Sequence, residues 1–274
     1  MKEIESAIRG DRRTLWDRLA RGSRLPGNRP NWDLAKEFAD AMGGLGANAL
    51  PLATAMATLH ADEAPGGTAL EFLPMCGVLT LGAIAAVSDE RAREKPMMTI
   101  HDAAEDLRFR VRDAVPLAIA RVGARHPEWT LRHLASWMDG FFHAAAVLRA
   151  LAHPDLLHAA KAHEDLVQRL EDAFALAEGA PRAAARYPGF KALLEAVVAG
   201  VPPLAARFPA PVVDVLERFA SRTKDPVLRD VVDRAARGCK NVGAERVLSA
   251  LERTAPPRRD PRSYVGPTRR RGRR

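Results

Sequence analysis

From Asp225 onward the apolar positions are Val227, Leu228, Val231, Val232, Ala235 and Ala236, with spacings of 1, 3, 1, 3 and 1. Only a helix gathers such a series on one stripe. Asp225 is placed to cap its N-terminus, Pro226 suits the first helical position, where no backbone N–H is needed, and Gly238 closes it. Val111, Ala114, Val115, Ala118, Ile119 and Val122 repeat the stripe up to Gly123; Pro116 within it predicts a start near Arg112 or a kink. Leu166, Val167, Leu170, Ala173, Phe174 and Ala177 form a third stripe, and Phe190, Leu193, Leu194, Val197 and Val198 a fourth. The breakers between them are His153-Pro154-Asp155, Gly179-Ala180-Pro181, Gly200-Val201-Pro202-Pro203 and Pro209-Ala210-Pro211, and no strand-like alternation bounded by turn residues appears. Helices joined by loops this short pack antiparallel to their neighbours, as a bundle or a solenoid.

Composition strengthens the helical reading: 51 alanines stand against five isoleucines and two tyrosines, so helix formers dominate and strand formers are scarce. The most apolar run, Phe72 to Val87, contains Pro74, Gly77 and Gly82 and falls short of the roughly 20 residues that span a bilayer. A helix buried on all sides is expected there, and no membrane association. Met1-Lys2-Glu3-Ile4-Glu5 alternates in charge with no apolar stretch behind it, unlike a secretory or transit peptide, which predicts a cytoplasmic protein. Cys76 and Cys239 have no CxxC or Cys/His companion and read as buried thiols.

The formal charge of +8 changes the picture only once it is located. From Thr254 to Arg274 eight arginines (Arg258, Arg259, Arg262, Arg269, Arg270, Arg271, Arg273 and Arg274) face one acid, Asp260, for a net of +7; the other 253 residues carry 34 basic and 33 acidic side chains, a net of +1. The attraction for phosphate therefore sits at the C-terminus. With four prolines and only Tyr264 and Val265 as large apolar residues, residues 254–274 are expected to be a disordered tail, either an arm for DNA or RNA or a solubilising extension. Residues 1–253 form the helical domain. The clusters Arg9-Gly10-Asp11-Arg12-Arg13 and Arg18 through Arg24 are expected on a first helix with a solvated face.

The segment Glu105-Asp106-Leu107-Arg108-Phe109-Arg110-Val111-Arg112 places an Asp in a turn and Val-Arg at the opening of a helix, and Lys224-Asp225-Pro226-Val227-Leu228-Arg229 is a second copy. Arg112 and Arg229 are 117 residues apart, near three repeats of about 39. Phe141 to Leu148 reads as an intermediate second helix with His143 at the arginine position, and Leu73 to Gly82 as an earlier one. From about Leu25 to Asn241 the chain resembles bacterial HEAT-like repeat proteins, related in form to the DNA alkylation repair family. The resemblance implies a HEAT/armadillo-like α-α superhelix of about six helix pairs, with Asp106 and Arg112, and Asp225 and Arg229, as structural pairs between repeats. It also implies two functional classes: a scaffold binding protein or nucleic acid on its concave face, and glycosylases that hold alkylated duplex DNA there.

A glycosylase needs aromatic rings beside a carboxylate, and the one candidate cluster is Trp129, Trp137 and Asp139. On a continuous helix Trp137 and Asp139 stand about 200° apart, so Trp137 is expected in the core and Asp139-Gly140 as a helix break or cap. Six of the eight histidines fall between His126 and His163. His153, His158 and His163 rotate too far to share an ion from one helix, and His126 and His133 lack a third ligand, so no metal or other cofactor is expected. Phosphate loops, catalytic triads and HExxH motifs are absent from the sequence. The expectation is a non-enzymatic scaffold, with nucleic acid slightly preferred as partner, a HEAT-like glycosylase as the alternative and a protein adaptor as the third reading. A continuous positive groove with Trp129 or Trp137 exposed favours DNA; a mixed-charge groove with both rings buried favours a protein ligand.

Overall fold

The computed structural model describes residues 2–239 and 242–255, and these are all-helical with no strand. The helices are α1 (Lys2–Ile8), α2 (Arg13–Gly22), α3 (Trp32–Gly43), α4 (Leu50–Ala57), α5 (Phe72–Val87), α6 (Glu90–Ala103), α7 (Phe109–Arg125), α8 (Pro127–His133), α9 (Phe141–Leu151), α10 (Pro154–Ala159), α11 (Glu164–Glu178), α12 (Pro188–Arg207), α13 (Pro209–Arg222), α14 (Pro226–Gly238) and α15 (Ala244–Arg253). Every stripe named above is helical. Asp225 Oδ1 accepts from the backbone N–H groups of Val227 at 2.7 Å and Leu228 at 3.3 Å, Pro226 opens α14, and Val231, Val232, Ala235 and Ala236 are buried beneath it.

The main packing partners follow an order. Helix α5 lies against α3 and α7, α7 against α9, α9 against α12 and α12 against α14, while α4 and α6 also pack on α5, α8 and α10 on α7, α11 on α9, α13 on α12 and α15 on α13 and α14. One core runs through all of it, from Ile4 to Leu251. At its centre α5 is buried on every side from Phe72 to Ala86. Two glycines permit this: a Cβ on Gly77 would stand 2.3 Å from the Ala57 backbone nitrogen, and one on Gly82 2.7 Å from Ala118 Cα. Helices α4 and α7 therefore approach α5 at backbone distance on two sides. Among the described residues two stretches are, by length and composition alone, long and apolar enough to cross a membrane, Ala69–Val87 and α12; the apolar window of the first is 89% buried within the fold and that of the second 50%.

Three local expectations are corrected. The first helix is two, α1 and α2, because Gly10 turns the chain with φ at +115°, a conformation open to glycine. Helix α7 begins at Phe109 and runs past Gly123 to Arg125 with Pro116 inside it; Gly123 is a packing site, where a Cβ would meet Leu156 Cδ1 at 2.3 Å. Gly200-Val201-Pro202-Pro203 does not break the chain, since α12 continues through both prolines to Arg207. Its stripe of Leu193, Ala196, Val197, Val201 and Leu204 is buried. The burial of the Leu and Val side chains among these, each worth about 2 kcal/mol, offsets the two hydrogen bonds the prolines cannot make. Gly238 makes room for the prolines: a Cβ there would lie 2.6 Å from Pro202 Cγ.

Candidate binding groove and histidine cluster

Between α7, α9 and α12 lies an open cavity of about 510 Å³. Its walls follow from the stripes: α7 turns its buried face to α5 and α9, leaving Phe109, Arg112 and Asp113 on the other side, and α9 and α12 present Phe142, Arg149, Lys191 and Glu195 to the same space. The charges are mixed. Arg149 Nη1 pairs with Asp113 Oδ1 at 2.7 Å, and the Arg112 guanidinium lies over the Phe142 ring at 4.4 Å. Burial holds Arg112 below the ordinary arginine range, against the pull of Asp113 and Asp106. The rim carries exposed aromatic rings: Phe109 is 53% exposed and Tyr187, next to the lining residue Pro188, 44%, and the Tyr187 ring packs edge-on to Phe142 at 5.6 Å.

Arg112 donates to the backbone carbonyl of Asp106, six residues upstream, while the Asp106 carboxylate is forked by Arg108, at 2.8 Å from Nε and 2.6 Å from Nη2. Arg229 likewise donates to the carbonyl six residues upstream, that of Thr223, at 3.2 Å, and reaches forward to Leu251 O and Thr254 Oγ1. The Asp225 carboxylate is taken by the main-chain donors that it caps. The Asp-to-Arg side-chain pairs implied by the resemblance are therefore not made: each acid is satisfied by donors closer in the chain, and each arginine closes a turn through a carbonyl.

Trp137 is 2% exposed and belongs to the core, as expected. Trp129 is also buried, stacked on His133 at 4.6 Å with the Arg93 guanidinium 4.6 Å from its ring. Burial lowers His133 from the ordinary imidazole range, against the pull of Glu94. The helix does break at Asp139-Gly140, but Asp139 is not the cap: Gly140 occupies the N-cap position of α9 and no side chain caps that helix. Asp139 lies instead in the loop before it, with Oδ1 3.0 Å from His143 Nδ1 and Oδ2 3.4 Å from His101 Nε2. The two imidazoles are stacked, centroids 3.8 Å apart and planes 13° apart, and Trp137 meets His101 edge-on at 4.8 Å.

His101, Asp139 and His143 thus converge with ligand atoms within 4.8 Å of one another, a grouping the histidine spacings do not reveal. His101 is on α6, 42 residues from His143, and only the four-residue step from Asp139 to His143 was readable in sequence. Of the other histidines weighed, His126 Nε2 is 3.0 Å from Ala86 O and His133 faces Glu94 at 3.7 Å, so they do not meet at one ion. Cys76 and Cys239 are buried, and burial pushes both thiols up. The tail arginines 258, 259, 262, 269, 270, 271, 273 and 274 lie outside the described residues. Comparison with family models, curated proteins and solved structures finds no match, so the functional reading rests on this chain's own residues.

Proposed function

We propose that the chain is a non-enzymatic, HEAT-like α-α superhelical scaffold whose groove between α7, α9 and α12 binds a segment of another protein. The succession of α3, α5, α7, α9, α12 and α14, each against the next, supports the repeat reading. The groove itself carries the choice of ligand. Arg112, Arg149 and Lys191 are set against Asp113 and Glu195 there, and the rim exposes Phe109 and Tyr187. Exposed aromatic side chains among charges of both signs suit a protein surface, whereas a duplex calls for a positive track. With Trp129 and Trp137 buried, no ring from this cluster is free to stack on an extruded base, which weighs against the glycosylase alternative. A photo-reactive phenylalanine analogue at position 109, with position 87 as an exposed control outside the groove, tests the proposal in cells. A protease-sensitive adduct at 109 and none at 87 is expected. A nuclease-sensitive adduct at 109, or equal adducts at both positions, overturns it.

Nucleic acid remains the second reading, through the tail, on the strength of the net +7 carried by residues 254–274. For the glycosylase alternative, the expected outcome is no release of 7-methylguanine from alkylated DNA. Release by the native chain that Asp139→Asn abolishes would put that reading first.

A further inference from the structure

We propose that His101, Asp139 and His143 form a binding site for a divalent first-row transition metal ion of the zinc class, clamping the end of α6 to the start of α9. Nothing in this depends on what the groove takes.

The argument begins at His143, which is 8% exposed. Its Nε2 lies 3.2 Å from the His101 backbone carbonyl. A carbonyl only accepts, so Nε2 carries a hydrogen, and in the neutral ring Nδ1 is then the lone-pair nitrogen, the arrangement by which a carbonyl behind the ring orients a metal-ligating imidazole. Nδ1 is buried and has no hydrogen-bond partner. Asp139 Oδ1 stands only 3.0 Å away, yet the approach does not have the direction of a hydrogen bond. Two ligands converging on a third point look like this: donors about 2.0–2.1 Å from a tetrahedral ion stand about 3.3 Å apart, each off the other's lone-pair axis. The separations of 3.0 Å (His143 to Asp139) and 3.4 Å (His101 to Asp139) match that spacing. All three ligand atoms lie within 4.8 Å of one another, and a turn of the partly exposed His101 ring with a shift of half-exposed Asp139, which is on a loop, brings them to one ion.

The surroundings favour a cation. Asp102 Oδ1 is 3.8 Å from His101 Nδ1, too far for a hydrogen bond but near enough to add negative potential. A Cβ on Gly140 would lie 3.0 Å from His143 Nδ1 and 3.5 Å from Glu105 Oε1. Gly140 thus keeps the mouth of the cluster clear and a further carboxylate stands beside it. Trp137 and His143 pack on the His101 ring in the ion-free protein; since an imidazole holds an ion in its own plane, binding turns the partly exposed His101 out of the stack. Two borderline imidazole nitrogens with one hard carboxylate oxygen are a donor set that zinc accepts, leaving a fourth position toward Glu105 or water.

The test uses the full chain, stripped with a chelator and titrated with Zn²⁺ against a metallochromic competitor, then with Co²⁺ for its visible ligand-field bands. One Zn²⁺ per chain is expected, with a rise in melting temperature on addition of the ion. His143→Ala, in a buried position, can unfold the protein, so the decisive variants are Asp139→Asn and His101→Gln, with folding checked by circular dichroism. Each is expected to weaken Zn²⁺ binding by at least about tenfold and to change the Co²⁺ bands, while His60→Gln, beside exposed Asp62, leaves both unchanged. If the native chain binds Zn²⁺ no more tightly than the Asp139→Asn, His101→Gln double variant, or if the Co²⁺ bands are the same in both, the site does not exist.

Discussion

The turns 106–112 and 223–229 start alike and end differently. In each, an arginine in the first turn of a helix, Arg112 in α7 or Arg229 in α14, donates to the carbonyl six residues before it. The first turn then stitches backward: Arg108, 6% exposed, holds the Asp106 carboxylate and donates to Ala64 O at 2.9 Å and Leu59 O at 2.8 Å, tying α7 to the loop after α4. The second stitches forward, with Arg229 reaching Leu251 O and Thr254 Oγ1 at the end of α15. The acids are not equivalent, since Asp106 precedes its arginine by six residues and Asp225 by four. What the turns share is an arginine that closes a loop through carbonyls. The aspartate serves whichever donors are nearest, a buried guanidinium in one turn and a helix N-terminus in the other.

The largest expected effect breaks the backward stitch. Arg108→Ala leaves the Asp106 carboxylate only the backbone N–H of residue 108 and strands two buried carbonyls; removal of one partner of a buried ion pair costs about 3–5 kcal/mol. Chemical denaturation of the full chain measures it, and a loss below about 1 kcal/mol would show that water replaces the guanidinium. Next is Leu228→Ala, which removes a side chain 3% exposed and is expected to cost about 2–5 kcal/mol. Its neighbour Val227, 50% exposed, should tolerate alanine with a change within about 0.5 kcal/mol; equal midpoints for the two would show the stripe misplaced. Asp225→Ala should cost about 1 kcal/mol as a lost cap, and Asp225→Asn almost nothing, because asparagine caps equally well. Asp106→Asn separates the turns most sharply. Its loss should exceed that of Asp225→Asn because the amide cannot give Arg108 two charged acceptors.

These contrasts show how far the chain could be read without coordinates. The α14 stripe, its cap and its proline were legible because each is a local rule acting over a few residues. The buried α5 was legible from apolarity alone, although the close approaches at Gly77 and Gly82 depend on Ala57 and Ala118, which no spacing rule connects to them. Pro202 and Pro203 misled because their local cost is outweighed by packing against α9 and α14, a tertiary effect. The histidine cluster was hidden for the same reason. His101 and His143 belong to different helices, and periodicity within one helix cannot report a meeting between two.

The smallest expected effect on stability comes from removing residues 256–274, and it isolates the charge from the body. Thr254 is left in place because its Oγ1 donates to Ala220 O at 3.1 Å and accepts from Arg229 Nη1 at 2.8 Å. The deleted segment contains all eight tail arginines and Asp260, so the net charge falls from +8 to +1. The denaturation midpoint should scarcely move, since Tyr264 and Val265 are the only large apolar residues lost. DNA affinity should change in a distinct way. Each phosphate neutralised contributes about −0.9 to the slope of log affinity against log salt for duplex DNA, so engagement of roughly five arginines steepens the full chain by about four to five units. Truncation should remove that slope, and contacts that are mainly to phosphate should show little dependence on base sequence. A truncated chain that binds DNA as tightly with an unchanged slope would move the nucleic-acid site into the body. Absence of binding by either chain at low salt would reduce the tail to a solubilising extension and leave the mixed-charge groove as the molecule's binding surface.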